Sequence, residues 1–318
     1  MKARAQLSER RHFEKELNMN VLNRLNSIIV IALIAVAILI AVRYLATPKQ
    51  ALGNLASRVS DGSPEPVLVH YRIDGRACGG ELFKPPGDGP FPAVLYNHGS
   101  APGMLNSQAS KAIGPLFASH GFVFLMPYRR GQGLSAAAGP YIGDEISSAF
   151  AHGGMAESER TMTRLLSGEH LQDQLGALQW LKSQPYVLAG QVAVAGNSFG
   201  GVESVLGAET GSYCAAIDAS GGAESWAQSP SLRALMIRSV RASKSPIFFF
   251  QAANDYDTSP TNELSAAMRA VGKNAQVKIY PPFGHSAREG HSFAYAGSDV
   301  WFPDVLAFVK TYCTRRAP

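Results

Sequence analysis

The residues with the most evident chemical potential lie in Val192–Gly201 (VAVAGNSFGG), where Ser198 stands between Gly196 and Gly200. The Gly-x-Ser-x-Gly spacing carries little weight by itself; its context carries it. An apolar run leads into the motif and Val202–Ala208 can continue as helix, which predicts a strand–turn–helix with the serine on the turn. Such a bend strains the backbone at the serine and leaves no space for neighbouring side chains, hence the glycines. The hydroxyl is then held in the open at a helix N-terminus. The amide of Phe199 points to where an oxyanion would form. The corresponding chemistry is nucleophilic attack on an acyl carbon.

A neutral serine is a weak nucleophile, so this chemistry requires a base and an acid that orients the base. On such an elbow the partners follow in the order serine, carboxylate, histidine. After the apolar run Ile247–Phe250 come Asp255 and Asp257, at the C-terminal end of an expected strand, where sites in open α/β sheets collect. Asp255 is nearer the strand and is the expected acid; Asp257 is placed to cap the helix expected from Pro260. The segment PPFGHSAREGHSF reads as a loop and offers two imidazoles, His285 and His291, of which one is needed. Earlier, Asn97-His98-Gly99-Ser100 follows the run Ala93–Tyr96, where a second oxyanion amide is supplied, by Gly99 or Ser100. His98 is read as shaping that loop, since no HExxH or carboxylate cluster accompanies it. In Tyr128-Arg129-Arg130, an arginine could hold a substrate carboxylate, but internal pairing beneath the site is the favoured role. Nothing in this chemistry calls for a metal or an organic cofactor.

The elements that must position these groups are visible as short apolar runs at Ala93–Tyr96, Val123–Met126, Val192–Ala195, Ala215–Ala219, Ile247–Phe250 and Val277–Tyr280. Pro66–Ile73 and Gly80–Lys84 precede them as further strands. Helices are expected over Leu171–Gln184, with Asp173 in the first turns, from about Pro260 to Val271, and from about Asp299 to Tyr312. Strands alternating with helices imply an α/β fold with a mostly parallel sheet covered on both faces. Gly131–Glu169 is long and weakly patterned, and is expected to be a small, partly helical cap.

At 318 residues and 46% apolar content the chain can bury one large core. The net charge of +5 suggests nucleic acid until it is located. Seven basic residues precede Thr47 (Lys2, Arg4, Arg10, Arg11, Lys15, Arg24, Arg43) against Glu9, Glu14 and Glu16, so the remainder carries only about +1. That excess flanks an apolar stretch, and nucleic acid is not an expected partner. Every residue from Ile28 to Val42 is Ile, Val, Ala or Leu; extended over 25–46, the stretch approaches the roughly 20 residues a membrane-spanning helix needs. The expected organisation is a basic segment (1–24), a transmembrane anchor or signal sequence (25–46), a linker (47–64) and a catalytic domain (65–318). Basic residues before the stretch favour a cytoplasmic N-terminus and an extracytoplasmic, periplasmic catalytic domain. Secretion after signal cleavage is the alternative, although Arg43 and Tyr44 interrupt any small-x-small cleavage site, and a buried soluble helix is a third reading. Cys78, Cys214 and Cys313 form no CxxC pair; one disulfide is possible in an exported domain, with the pair left open.

From about Glu65 to Val309 the chain resembles the α/β-hydrolase superfamily, in particular its dienelactone-hydrolase-like and prolyl-oligopeptidase-like branch. The resemblance rests on the HGS loop at His98–Ser100, RRGQG at Arg129–Gly133, and the helix carrying Asp173 and Trp180-Leu181. It continues through QPYV and VAVAGNSFGG, the acid loop FFFQAANDYDTSP, and YPPFG followed by EGHSF. It implies the α/β-hydrolase fold, with a mostly parallel sheet of about eight strands and a small cap. It further implies Ser198 as nucleophile, Asp255 as acid and His291, the histidine of EGHSF, as base. His285 fits a looser superfamily pattern. Dienelactone hydrolase proper has a cysteine where this chain has Ser198, which leaves the substrate open. The implied activity is hydrolysis of a small carboxylic ester through an acyl-enzyme. A serine peptidase acting on short peptides is one rival, though a gating domain would be expected and this length leaves no space for one. A catalytically inactive, membrane-tethered binding module is the other.

Overall fold

The computed structural model describes residues 65–314; the segments expected at 1–24, 25–46 and 47–64 lie outside the described residues. Eight strands form one sheet: β1 (Val67–Ile73), β2 (Arg76–Phe83), β3 (Phe91–Asn97), β4 (Val123–Pro127), β5 (Val187–Asn197), β6 (Ala216–Ala219), β7 (Ile247–Ala252) and β8 (Ala275–Tyr280). Their order across the sheet is β1-β2-β4-β3-β5-β6-β7-β8. β2 runs antiparallel to β1 and to β4, and all other neighbours are parallel. The β1–β2 hairpin turns on Asp74-Gly75, both at positive φ (49° and 79°), the conformation a two-residue hairpin loop favours and for which Asp-Gly is well suited.

Side chains alternate across a strand, so a parallel strand covered on both faces feeds two cores. Val192 and Val194 join one core, Ala193 and Ala195 the other; Ile247 and Phe249 part from Phe248 and Phe250 in the same way. That is why these strands read as unbroken apolar runs. The outermost strand, β8, alternates between partly buried and exposed positions until the buried Tyr280.

Eight α-helices cover the sheet: α1 (Ser107–Ser119), α2 (Ile142–Leu165), α3 (Leu171–Lys182), α4 (Phe199–Thr210), α5 (Pro230–Ala242), α6 (Ser259–Arg269), α7 (Ala287–Ala296) and α8 (Ser298–Cys313). Helices α2 to α6 pack into the first core, and α1, α7 and α8 into the second. Cys214, just before β6, is disulfide-bonded to Cys313 at the end of α8, and Cys78 is unpaired and buried.

The interval Gly131–Glu169 contains a 3-10 turn (Gly133–Ala138) and most of a long helix broken at Gly154, which adopts φ 67°. Only Ile142, Met162 and Leu165 of α2 are buried, so its amphipathic signal is weak. A π turn, Leu166–His170, joins α2 directly to α3. Among the described residues, no helix is long and apolar enough to cross a membrane.

Candidate active site

Ser198 is the single residue between β5 and α4, at φ 55° and ψ −121°. Backbone at this point of φ/ψ space costs of order 1–3 kcal/mol for a non-glycine residue and persists only when its surroundings enforce it. Here the Ser198 amide donates to Ala219 O of β6 (3.0 Å), while its carbonyl accepts the amides of Gly201 (2.9 Å) and Val202 (3.2 Å) in the first turn of α4. The flanking glycines are required sterically: a Cβ on Gly200 would overlap the Asn97 carbonyl of β3, and one on Gly196 the Gly200 carbonyl. Ser198 retains 9% of its surface.

Asp255, three residues past β7, accepts from His291 Nδ1 at 2.8 Å through Oδ1. The same oxygen accepts the Tyr256 amide (2.7 Å), and Oδ2 accepts Gln251 Nε2 (3.2 Å). Its side chain is fully buried, and that of His291 is partly buried. Burial disfavours the imidazolium of His291, but the hydrogen bond and charge of Asp255, aided by Glu224, outweigh it and raise the pKa above the ordinary value. With its proton held on Nδ1, the imidazole presents Nε2 as a base. The Ser198 hydroxyl and His291 Nε2 hydrogen-bond to no described residue, so the serine–histidine link is open in this state. Catalytic contacts of this kind often close only around substrate.

The other two candidates fall elsewhere. Asp257 accepts the Ser259 amide (2.7 Å) at the start of α6, the helix-end role anticipated for it. His285 is exposed; its amide donates to Glu289 (2.8 Å), and its ring takes no part in the pair with Asp255. The segment read as a loop is helical from Ala287, because Ser286 and Glu289 form a reciprocal cap, Ser286 Oγ accepting the Glu289 amide and donating to Glu289 Oε2. That Ser-x-x-Glu signal, legible at 286–289, separates His285 before the helix from His291 within it. Asn254, unremarked in the sequence, fixes this segment to the acid loop. Its side chain donates to Phe283 O and Ser286 O (3.0 Å each) and accepts the Phe283 amide (2.8 Å). Gly290 packs so closely against Asn254 that a Cβ would lie 2.7 Å from its backbone.

The loop after β3 lies against the elbow: a Cβ on Gly99 would stand 3.8 Å from Ser198 Cβ. Among the described residues, the amides of Gly99, Ser100 and Phe199 donate to no acceptor. Arg130 is consumed internally. It chelates Asp173 through Nε (2.8 Å) and Nη2 (2.7 Å), with a third bond from its amide (3.1 Å). Arg129 is buried and bonded to the loop after β3. The internal pairing anticipated for one of these arginines is what Arg130 has, while Arg129 is buried away from solvent and bonded to the loop carbonyl. Among the described residues, no group of three or more His, Cys, Asp or Glu could hold a metal.

A model of the dienelactone hydrolase family matches residues 79–312. No curated protein matches the chain. Among solved structures, an acylaminoacyl peptidase from Pyrococcus horikoshii is 16% identical over 82% of this chain and 44% of its own, with a TM-score of 0.57. An esterase from Pyrococcus furiosus is 15% identical over 78% of this chain and 93% of its own (TM-score 0.56). A Klebsiella pneumoniae protein assigned to the dienelactone hydrolases is 17% identical over 78% of this chain and 100% of its own (TM-score 0.57). The chain spans less than half the length of the acylaminoacyl peptidases it matches. Identities this low show a shared fold. The family match, running from within β2 into α8, goes further: the chain belongs to the dienelactone hydrolase family.

Proposed function

We propose that the protein is a serine hydrolase that cleaves small carboxylic esters through an acyl-enzyme. What supports this reading is a strained, glycine-flanked Ser198 at the C-terminal end of β5 together with an Asp255–His291 pair at 2.8 Å on the segments that follow β7 and β8. In this reading, Ser198 Oγ attacks the ester carbonyl while His291 Nε2 takes its proton. The charge forming on the carbonyl oxygen is met by the amides of Phe199 and of Gly99 or Ser100. Collapse breaks the bond to the alcohol oxygen, which takes the proton from His291. Water then repeats the sequence: His291 removes its proton, the carboxylic acid leaves, and Ser198 recovers its hydrogen. Asp255 keeps its own charge throughout, orienting the imidazole and stabilising the imidazolium.

Esters are preferred to peptides because the chain matches the dienelactone hydrolase family and is similar in fold to the Pyrococcus furiosus esterase. The test is labelling with a fluorophosphonate, together with kcat/KM on p-nitrophenyl esters of increasing chain length and on a matched anilide. Wild-type protein should label and prefer the ester, and Ser198→Ala should do neither. Failure of the wild type to label would favour an inactive binding module, and a preference for the anilide a peptidase.

The reading includes attachment to a membrane through residues 25–46, with the catalytic domain in an oxidising extracytoplasmic compartment. The Cys214–Cys313 disulfide supports it, since such bonds persist outside reducing cytosol. Protease accessibility in spheroplasts would check it, with protection of residues 65–318 as the contrary outcome.

A further inference from the structure

We infer that Arg129 is a positioning residue of the oxyanion loop: by holding the Gly99 carbonyl from beneath, it turns the amide of Ser100 towards the reacting oxygen. This rests on the hydrolase reading above.

Three successive carbonyls of the loop are each tied down by side chains. Gly99 O accepts from Arg129 Nη2 (2.7 Å) and His98 Nδ1 (2.7 Å), and Ser100 O accepts from Tyr141 OH (2.6 Å). Ala101 O accepts from Asn106 Nδ2 and Gln132 Nε2 (2.7 Å each). His98 is itself fixed: its Nε2 accepts the Arg129 amide (3.2 Å), which leaves the proton on Nδ1 for Gly99 O. A trans peptide is planar, with its C=O and N–H on opposite sides. Drawing the Gly99 carbonyl inward therefore drives the Ser100 N–H outward, and that amide has no acceptor among the described residues. A flipped Gly99–Ser100 peptide would instead present a carbonyl to the developing negative charge.

Arg129 is an expensive way to hold a carbonyl unless the geometry matters. The side chain is buried, and its Nε and Nη1 reach no protein acceptor. The carboxyl with most influence on it is Glu203 of α4, five residues past the nucleophile and also buried, with neither oxygen hydrogen-bonded and its pKa pushed up to about 8 by burial, so that it is largely uncharged at neutral pH. A buried guanidinium with so little compensating charge adds no stability over an apolar residue of similar volume. The guanidinium also ties the loop after β3 to the chain leaving β4. Preorganised donors act strongly because they need no rearrangement as charge forms.

The test uses full-length protein and three variants: Arg129→Met, Arg129→Lys, and Arg129→Met/Glu203→Gln. The double variant removes both the guanidinium and the acidic proton site of Glu203, so it keeps the question open to test if Arg129→Met fails to fold. Three quantities are read: kcat and KM on a p-nitrophenyl ester, Ki for phenylboronic acid, and thermal unfolding. Phenylboronic acid forms a tetrahedral Ser198 O–B adduct whose hydroxyl occupies the oxyanion position. The expected result is a fall in kcat of about 10²-fold with a matching rise in Ki and KM within about threefold, in a double variant that unfolds near the wild-type temperature. Arg129→Lys should recover part of the loss. A folded double variant that keeps kcat and Ki, or one in which KM alone changes, overturns the inference. Wild-type protein that neither hydrolyses esters nor binds phenylboronic acid brings down the hydrolase reading, and the inference with it.

Discussion

His291 Nδ1 lies 2.8 Å from Asp255 Oδ1, which joins the loop after β7 to helix α7 after β8. The carboxylate is saturated by its neighbours, so the imidazole is held in one orientation and one tautomer. Several measurable properties descend from this pair and from the elements that assemble it.

The acid limb of kcat/KM should reflect His291, which must be neutral to act as base. Because Asp255 raises its pKa, that limb should have its midpoint above 6.5. In Asp255→Asn the midpoint should move down while kcat falls by about 10⁴-fold. The stability from the pair is fully present below pH 6.5 and is lost as pH rises through the raised pKa, so the variant's deficit should be largest in acid. Denaturant melts at pH 5.5 and pH 9 would measure it, and equal deficits would contradict the assignment.

The elbow stores backbone strain at Ser198, so the two ways of deleting its hydroxyl should differ. Ser198→Gly can adopt φ 55° without penalty, whereas Ser198→Ala cannot. The glycine variant should be the more stable of the two by about 1 kcal/mol in urea titration, although glycine normally weakens a fold. Gly200→Ala should give no soluble protein, since its Cβ has no path past the Asn97 carbonyl.

Arg130 and Asp173 are a buried bidentate pair, with Arg76 as a third member at 3.2 Å. Arg130→Met leaves a buried carboxylate short of its main partner and should cost about 3–5 kcal/mol. KM for esters, with or without a distal carboxylate, should not change selectively in the folded fraction. A selective rise for the acidic ester would restore a substrate-binding role.

The Cys214–Cys313 bond closes a loop spanning 99 positions. On chain-entropy grounds, its loss in Cys214→Ser/Cys313→Ser should cost up to about 4–5 kcal/mol. Melting in the presence and absence of a reductant should reproduce that difference for wild type and show none for the double variant.

The strand runs, the elbow and the ordering of nucleophile, acid and histidine were all legible in the sequence, because each leaves a local signature. A strand buried on both faces is an unbroken apolar run, and a sharp turn needs glycine. The cap was less legible: α2 buries only three residues of its twenty-four and breaks at Gly154, so its periodicity is faint. Helices α1 and α5 were missed outright. The sequence of α7 reads as a loop, though Ser286 and Glu289 mark its start with a cap.

What the sequence by itself determined about this protein is the α/β architecture, the glycine-flanked Ser198 and the short list of partners, since those depend on nearest neighbours along the chain. The tertiary structure alone decided that His291 joins Asp255, that Cys214 meets Cys313, and which groups Arg129 and Arg130 meet on turning inward. Each of those outcomes is a contact between segments distant in sequence. Such contacts are set by how the sheet orders its strands and how the loops pack at their ends, and spacing along the chain does not encode that.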